Sequence, residues 1–304
     1  MNFIVTGGAG FIGSHLTKYL VRQQHSVTVI DNLCNGKKEK LGSVLKEIEF
    51  VNVSILNLEK LRDIFKNADG VFHQAALTDG QESFSKKKEY FNVNVTGTEN
   101  ILKVSKEFDL KVVFSSSASV YGNAKKIPIK EDFERKPITP YGETKLRAEY
   151  LCEKYVTAGV KIVGLRYFNA YGSGQNNAYA GVITKFLGNI ANRKPPIIYG
   201  DGLQIRDFVF VQDVAKANLL AMKSRVDHAF INIGSGTALS IKDLAHMFIK
   251  LSKLKFEPLY DRTIRGDIRK SQADIRLAKK LLNWGPETKL KEWLKNAISR
   301  INIV

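Results

Sequence analysis

The chain has 304 residues, 44% hydrophobic and 25% charged, enough for one large or two ordinary domains around a sizeable core. That composition excludes a disordered chain, and no apolar run approaches the ~18 residues that span a bilayer. The net charge of +17 permits anionic partners without choosing among them, because the basic residues are spread along the chain rather than gathered in a tail.

A short apolar run at 3–5 predicts a strand and leads straight into TGGAGFIGSHLTKYLVRQ. Gly7, Gly10 and Gly13 there form G-x-x-G-x-x-G, and Ile12, Leu16, Tyr19 and Leu20 give the following segment one apolar helical face. Strand, glycine turn and helix together let backbone approach a pyrophosphate seated at the helix N-terminus. A second strand at 26–30 ends in Asp31, placed to accept from a ribose 2'-hydroxyl and to repel a 2'-phosphate, which favours NAD over NADP. Strands follow at 48–53 and 70–76, with a helix at 58–65 between them and a long helix over 88–108. The strand at 111–114 runs into Ser115-Ser116-Ser117-Ala118-Ser119, aiming hydroxyls at the C-terminal edge of a parallel sheet, where open α/β sheets bind ligands.

Tyr141 and Lys145 lie four apart on one helical face. A phenol titrates near ~10. A neighbouring ammonium stabilises its phenolate and makes it a usable proton acceptor or donor. The pair is common by chance and gains weight from the glycine turn and serines upstream. Beyond a strand at 160–167 the alternation loosens. A helix is read at 180–192, strands at 197–199, 206–211 and 230–233, and helices at 213–223, 241–251, 275–282 and 290–300. The fold class is α/β: a Rossmann-type doubly wound parallel sheet with a smaller, partly interleaved C-terminal α/β substrate domain. The boundary falls at 1–168 for the NAD-binding half, with 201–228 returning to it, and 169–304 for the other.

Cys34 and Cys152 make no disulfide framework or metal cluster, and the five histidines lack ligand spacing, so no metal is expected. The N-terminus carries no basic segment ahead of a long apolar stretch, so a signal peptide is not expected either, and a reducing cytoplasm fits best.

The ordered set TGGAGFIGSH, VIDNLCNGKK, VFHQAAL, SSSASVYG, PYGETK, LRYFNAYG, YGDGLQIRDFVFVQDVA, NIGSG and RGDIRKSQAD covers essentially the full length. By these segments the chain resembles the extended short-chain dehydrogenase/reductases, within them the NAD-dependent nucleotide-sugar epimerase/dehydratase family, and most of all the UDP-glucose 4-epimerases. The resemblance implies that Gly7, Gly10, Phe11, Ile12 and Gly13 line the pyrophosphate of NAD and that Asp31, Asn32, Asn35 and Gly36 hold the adenosine ribose. It puts Ser54 and Ile55 at the adenine edge, and Gln74, Ala75, Ala76 and Ser115 along the nicotinamide side with Asn94 behind them. Tyr141 becomes the catalytic base, Lys145 its partner on the nicotinamide ribose, and Ser117 the third member, holding the sugar 4-oxygen. Phe168 borders the nicotinamide. Ser119 touches the hexose, Asn169 the diphosphate, Tyr199 the uracil and Arg206 the diphosphate, with Val182 and Ser271 also on the substrate side. A homodimer through helices near 88–108 and 141–156 is implied as well.

The departures from the family pattern carry information. Ser54 replaces the usual aspartate, Thr78 stands where many relatives have lysine, and Ile264 stands at the second phosphate arginine, leaving Arg265 or Arg262 as substitutes. Asp79 is acidic where Ser or Ala is usual; turned to the sugar it disfavours a uronate, and turned to solvent it does nothing. Dehydratases of the family carry Thr-Asp-Glu at the position of Ser117-Ala118-Ser119, and the glucuronate decarboxylases a glutamate at Ser119. With neither acid present, 4-epimerisation of a UDP-hexose is favoured over UDP-glucuronate 4-epimerisation, dehydration or decarboxylation. Ser271, small where a tyrosine restricts the pocket, and the stretch NNAYAGVITKF extend the expectation from UDP-glucose/UDP-galactose to UDP-GlcNAc/UDP-GalNAc. The alternative from another class, an inactive RNA-binding relative, lacks a basic-aromatic stripe, so no nucleic-acid partner is expected.

Overall fold

The computed structural model of the protein describes residues 1–175 and 181–301. Its centre is a seven-stranded sheet in which every neighbouring pair is parallel. The first six of these strands are β1 (Asn2–Thr6), β2 (Ser26–Ile30), β3 (Glu49–Val51), β4 (Gly70–His73), β5 (Lys111–Ser117) and β6 (Ile162–Tyr167). In space they run β3-β2-β1-β4-β5-β6, so the order reverses between β1 and β4, the place where doubly wound folds open a crevice. The strands are apolar on both faces because helices cover both. Phe3 and Val5 of β1 pack into one layer and Ile4 into the other, as a period of two requires.

The helices of this half are α1 (Phe11–Arg22), α2 (Leu58–Phe65), α3 (Lys87–Phe91), α4 (Gly97–Glu107) and α5 (Pro140–Thr157). Leu16 and Leu20 of α1 pack in the first layer, while Leu61 and Phe65 of α2, Ile101 and Leu102 of α4 and Ala148 and Cys152 of α5 fill the second. Helix α5 starts where Thr139 caps it, its side chain accepting from the Gly142 N–H at 3.1 Å, with Pro140 in the first turn. That start puts Tyr141 in the first turn and Lys145 one turn later.

After residue 168 come β7 (Asn169–Tyr171), α6 (Val182–Ala191), β8 (Ile197–Tyr199), β9 (Ile205–Arg206), β10 (Phe208–Phe210) and α7 (Val211–Lys223). They are followed by β11 (His228–Ile233), β12 (Leu239–Ser240), α8 (Ile241–Ser252), β13 (Leu259–Asp261), α9 (Arg276–Leu282) and α10 (Leu290–Ser299). Strand β11 is the seventh of the central sheet, paired with β6, and residues of α7 and α9 join the core over α1. Helices α6, α8 and α10 close on a separate core that includes Phe186, Ile198, Phe208, Phe248 and Leu294. The chain thus crosses between the two cores more than once.

Three expected elements are corrected. The single helix over 88–108 is interrupted by a π-helical turn, Asn92–Thr96, which turns Asn94 inward. The strand at 206–211 breaks at Asp207 into β9 and β10, and the buried Asp207 carboxylate accepts from the backbone N–H groups of Ser235, Gly236 and Ala273. The strand at 70–76 stops at His73, and Gln74–Ala76 continue as wall of the crevice. The start of the helix expected at 180–192, and residues 176–180 of NNAYAGVITKF, lie outside the described residues.

Candidate active site

A cavity of about 420 Å³ opens at the C-terminal ends of β1, β4, β5 and β6. Gly7, Gly10, Phe11, Ile12 and Gly13 line it, as do Asp31, Asn32, Asn35, Gly36, Ser54 and Ile55. So do Gln74, Ala75, Ala76, Ser115, Ser117, Tyr141, Lys145, Phe168, Asn169 and Val182. Residues named from eight separate segments of the sequence therefore converge on one site.

The glycine turn is shaped for close approach. Gly7 has φ +68°, and a Cβ there would lie 2.7 Å from the Ala75 backbone; one on Gly13 would lie 2.1 Å from the Gly7 carbonyl oxygen. Helix α1 starts without a side-chain cap, so the N–H groups of Phe11, Ile12 and Gly13 are free for an anion. Asp31 accepts from the N–H of Ala9 at 2.9 Å and of Leu33 at 2.8 Å, which fixes the loop and leaves lone pairs on both oxygens. Burial raises its carboxyl above the ordinary range, and those two N–H bonds oppose the shift.

The wall after β4 is held by a directed chain of hydrogen bonds. The Ala75 N–H donates to Thr6 Oγ1, and Thr6 bonds His73 Nδ1 at 2.8 Å. On the other side His73 Nε2 bonds Thr98 Oγ1 at 2.9 Å, and Thr98 donates to the Asn94 carbonyl. These directions are all satisfied by a neutral ring protonated on Nε2. Burial, with Lys145 nearby, pushes His73 down to about 3. Asn94 closes a two-way pair with the Leu77 backbone and donates to Thr144, which donates to the Tyr141 carbonyl. Asn94 is therefore behind the wall and not part of its lining.

Lys145 is 4% exposed and donates to the Ser115 carbonyl at 2.8 Å, its Nζ lying 5.2 Å from the Phe114 ring centroid. Burial brings it down to about 8. Tyr141 is half-buried: burial holds its phenol up, and the Ser117 hydroxyl pulls it back. Ser117 Oγ accepts from the Ser119 N–H at 3.2 Å, which turns the chain away after the strand. Ser, Tyr and Lys thus stand at one end of the cavity, with Ala118 and Ser119 bringing no carboxylate.

Other expected residues stand apart from this cavity. Arg206 is mostly buried; it pairs with Asp267 and donates to the Ile268 carbonyl. Burial lowers its guanidinium from the ordinary value, and Asp267 opposes that. Arg265 is exposed, its guanidinium 4.3 Å from the Phe84 ring centroid, and its carbonyl accepts from Gln81. Tyr199 is half-buried in β8 with Lys185 Nζ 5.9 Å from its ring centroid. Ser119 Oγ is buried without a partner. Ser271 is 5% exposed, with its N–H on the Ile205 carbonyl, and it packs beside β9 instead of lining the cavity. Asp79 accepts from the N–H groups of Gln81 and Glu82, a local turn that engages its carboxylate. The sequence reading missed Lys40, Tyr167 and Gln175, which also line the cavity. Tyr167 reaches Gln74 and Asn218, contacts across 93 and 51 residues that no local pattern signals.

Among the described residues no helix is long and apolar enough to cross a membrane, and no cluster of His, Cys, Asp and Glu has the makings of a metal site.

Residues 3–234 match the NAD dependent epimerase/dehydratase family. A putative UDP-glucose 4-epimerase of Methanocaldococcus jannaschii is 37% identical over 305 residues, 97% of each chain. A UDP-N-acetyl-alpha-D-glucosaminuronate decarboxylase of Bacillus cytotoxicus is 33% identical, covering 97% of this chain and 96% of its own. The crystal structure of UDP-glucose 4-epimerase with UDP-glucose from Thermotoga maritima superposes with a TM-score of 0.94 at 36% identity, covering 98% of both chains.

Proposed function

Because the chain belongs to the NAD dependent epimerase/dehydratase family, whose cofactor fits the glycine turn and Asp31 described above, we propose that it interconverts UDP-hexoses at C-4 through a transient 4-keto sugar. The observation that carries this reading is Ser117, Tyr141 and Lys145 at one end of the cavity, with no carboxylate at Ala118 or Ser119. UDP-glucose/UDP-galactose is the proposed pair.

NAD, when bound, supplies a hydride acceptor at the sugar carbon and returns the hydride. Gly7, Gly10, Phe11, Ile12, Gly13 and Asp31 are the residues that would hold it. Tyr141 takes the 4-hydroxyl proton as phenolate and gives it back to the new hydroxyl. Lys145 stabilises that phenolate, and Ser117 hydrogen-bonds the sugar oxygen so that its orientation survives the change of hybridisation. Arg206 exchanges Asp267 for the diphosphate, anchoring the nucleotide while the hexose turns. No group at positions 117–119 abstracts the C-5 proton, so the ketone is reduced rather than eliminated.

A homodimer belongs to the same proposal. Phe91 on α3 and Tyr150 on α5 are 44% and 49% exposed, large rings that a partner would cover. Tyr150→Glu should give a monomer by light scattering; an unchanged mass, or a monomeric parent, removes the dimer from the proposal.

The deciding experiment incubates the protein, without added NAD, with UDP-glucose, UDP-GlcNAc and UDP-glucuronate separately. The 4-epimer of UDP-glucose is the expected product. Epimer only from UDP-GlcNAc, or carbon dioxide from the uronate, would reassign the substrate, and no product from any would sink the reading.

A further inference from the structure

Below the reacting end of the cavity lies a buried charge that catalysis as described does not use. Glu149 is fully buried one helical turn beyond Lys145. It accepts from Ser116 Oγ at 2.5 Å, from Arg166 Nε at 2.8 Å and Nη2 at 2.9 Å, and from Arg135 Nη1 at 3.0 Å. Arg135 is shared with Glu153 at 2.8 Å, and Arg166 also donates to Tyr121 and to the Glu131 carbonyl. A buried ion pair is weak evidence for stability, since apolar replacements of similar volume often do as well. Its position is more telling than its presence.

Ser116 sits between Ser115, whose carbonyl holds Lys145, and Ser117, the hydroxyl partner of Tyr141. Through Ser116 the Glu149 carboxylate ties the end of β5 to α5, the helix that carries both Tyr141 and Lys145. Among the described residues no carboxylate is within ion-pair distance of Lys145. Its surroundings are the Ser115 carbonyl and Phe114 ring from β5, neutral His73 from β4, and Tyr141, Glu149 and Cys152 from α5, with Arg166 from β6 behind Glu149. We propose that Glu149, oriented by Arg166, is a positioning residue for Lys145: it clamps the serine end of β5 to α5 and supplies the negative charge that keeps the buried ammonium protonated. The direction agrees: burial lowers Lys145 and Glu149 opposes that, while the Cys152 thiol, pushed well up by burial, is neutral where Lys145 titrates and adds no charge.

The role of Lys145 rests on the epimerase reading, so the test reads Lys145 without turnover as well. The full chain, with and without NAD, is labelled with trace acetic anhydride across pH, and the fraction acetylated at Lys145 is followed by peptide mass spectrometry. Glu149→Gln is expected to move the labelling midpoint about one pH unit to lower pH. The alkaline limb of the epimerase pH profile should move with it, because removing a negative charge lowers the pKa of a cation. Glu149→Asp should return both towards the parent. Glu149→Gln leaves Arg166 buried and without its counter-charge, which adds to the fall, so Glu149→Leu with Arg166→Met, which removes both charges, is made beside it and should show a smaller shift in the same direction. An unmoved midpoint in both would overturn the proposal and reduce the cluster to packing. Absence of epimer from the parent protein sinks the epimerase reading alone and leaves the labelling result standing.

Discussion

Asn94 and Leu77 form a two-way pair: the Leu77 N–H donates to Asn94 Oδ1 at 2.8 Å, and Asn94 Nδ2 donates to the Leu77 carbonyl at 2.9 Å. A side chain thus does for the cavity wall what a neighbouring strand does for the sheet. The same amide reaches Thr144 on α5 at 3.0 Å, so one residue spaces the wall from the helix that carries Tyr141. Asn94→Ala leaves two buried backbone groups unpaired, and about 2 kcal/mol of stability should be lost. Urea unfolding of both proteins measures this, and NAD retention through a desalting column should fall in parallel.

Tyr141→Phe keeps the ring and removes the proton acceptor. Turnover on UDP-glucose should fall by roughly 10²–10⁴, the range for loss of a general acid–base group. Bound NAD, read from the absorbance of the denatured supernatant, should stay near one per chain. A variant retaining most of its turnover would require another base.

Arg206 carries the substrate side of the proposal. Its guanidinium is already desolvated and paired with Asp267. Arg206→Met should raise KM for the UDP-sugar roughly 10- to 100-fold, the worth of one charge-assisted contact, with kcat changed much less. UDP alone, titrated calorimetrically, should lose affinity by a similar factor. An unchanged UDP affinity would move the diphosphate elsewhere.

His73 gives the stability a pH dependence of known sign. Its folded value is down at about 3, against ~6.5 in the unfolded chain. The unfolded state therefore binds a proton first as the pH falls. The stability tied to the neutral ring is complete above ~6.5 and is lost as the pH drops toward the folded value, with a slope of up to ~1.4 kcal/mol per pH unit. Urea unfolding between those limits should show a stability slope steeper in the parent than in His73→Asn by this amount, the other titrating groups contributing alike to both.

Local patterns were easiest to read where one physical period ruled. The strand at 26–30 and the helix at 58–65 have the bounds expected of them, because each is bracketed by its own turn and buries one face or two. The helix expected at 88–108 is not continuous. Its apolar periodicity does run through, but Asn94 must reach Leu77, and a π-helical turn re-aims that side chain without ending the helix. Asp207 separates β9 from β10, and its carboxylate is held by three N–H groups from distant loops, which no local pattern signals.

The amino-acid sequence by itself determined the doubly wound sheet, the glycine turn and the Tyr141–Lys145 spacing, since each depends on residue types at short spacings along one strand, turn or helix, whereas Ser117, on β5, comes beside that pair only through the fold. Only the tertiary structure decided that Arg206 faces Asp267, that Ser271 packs beside β9 rather than lining the cavity, and that Glu149 ties Ser116 to Arg166 beneath Lys145. Those contacts join residues 17 to 66 positions apart along the chain. Which partner a buried charge finds is set by what the fold brings within about 3 Å of it, and spacing along the chain does not encode that.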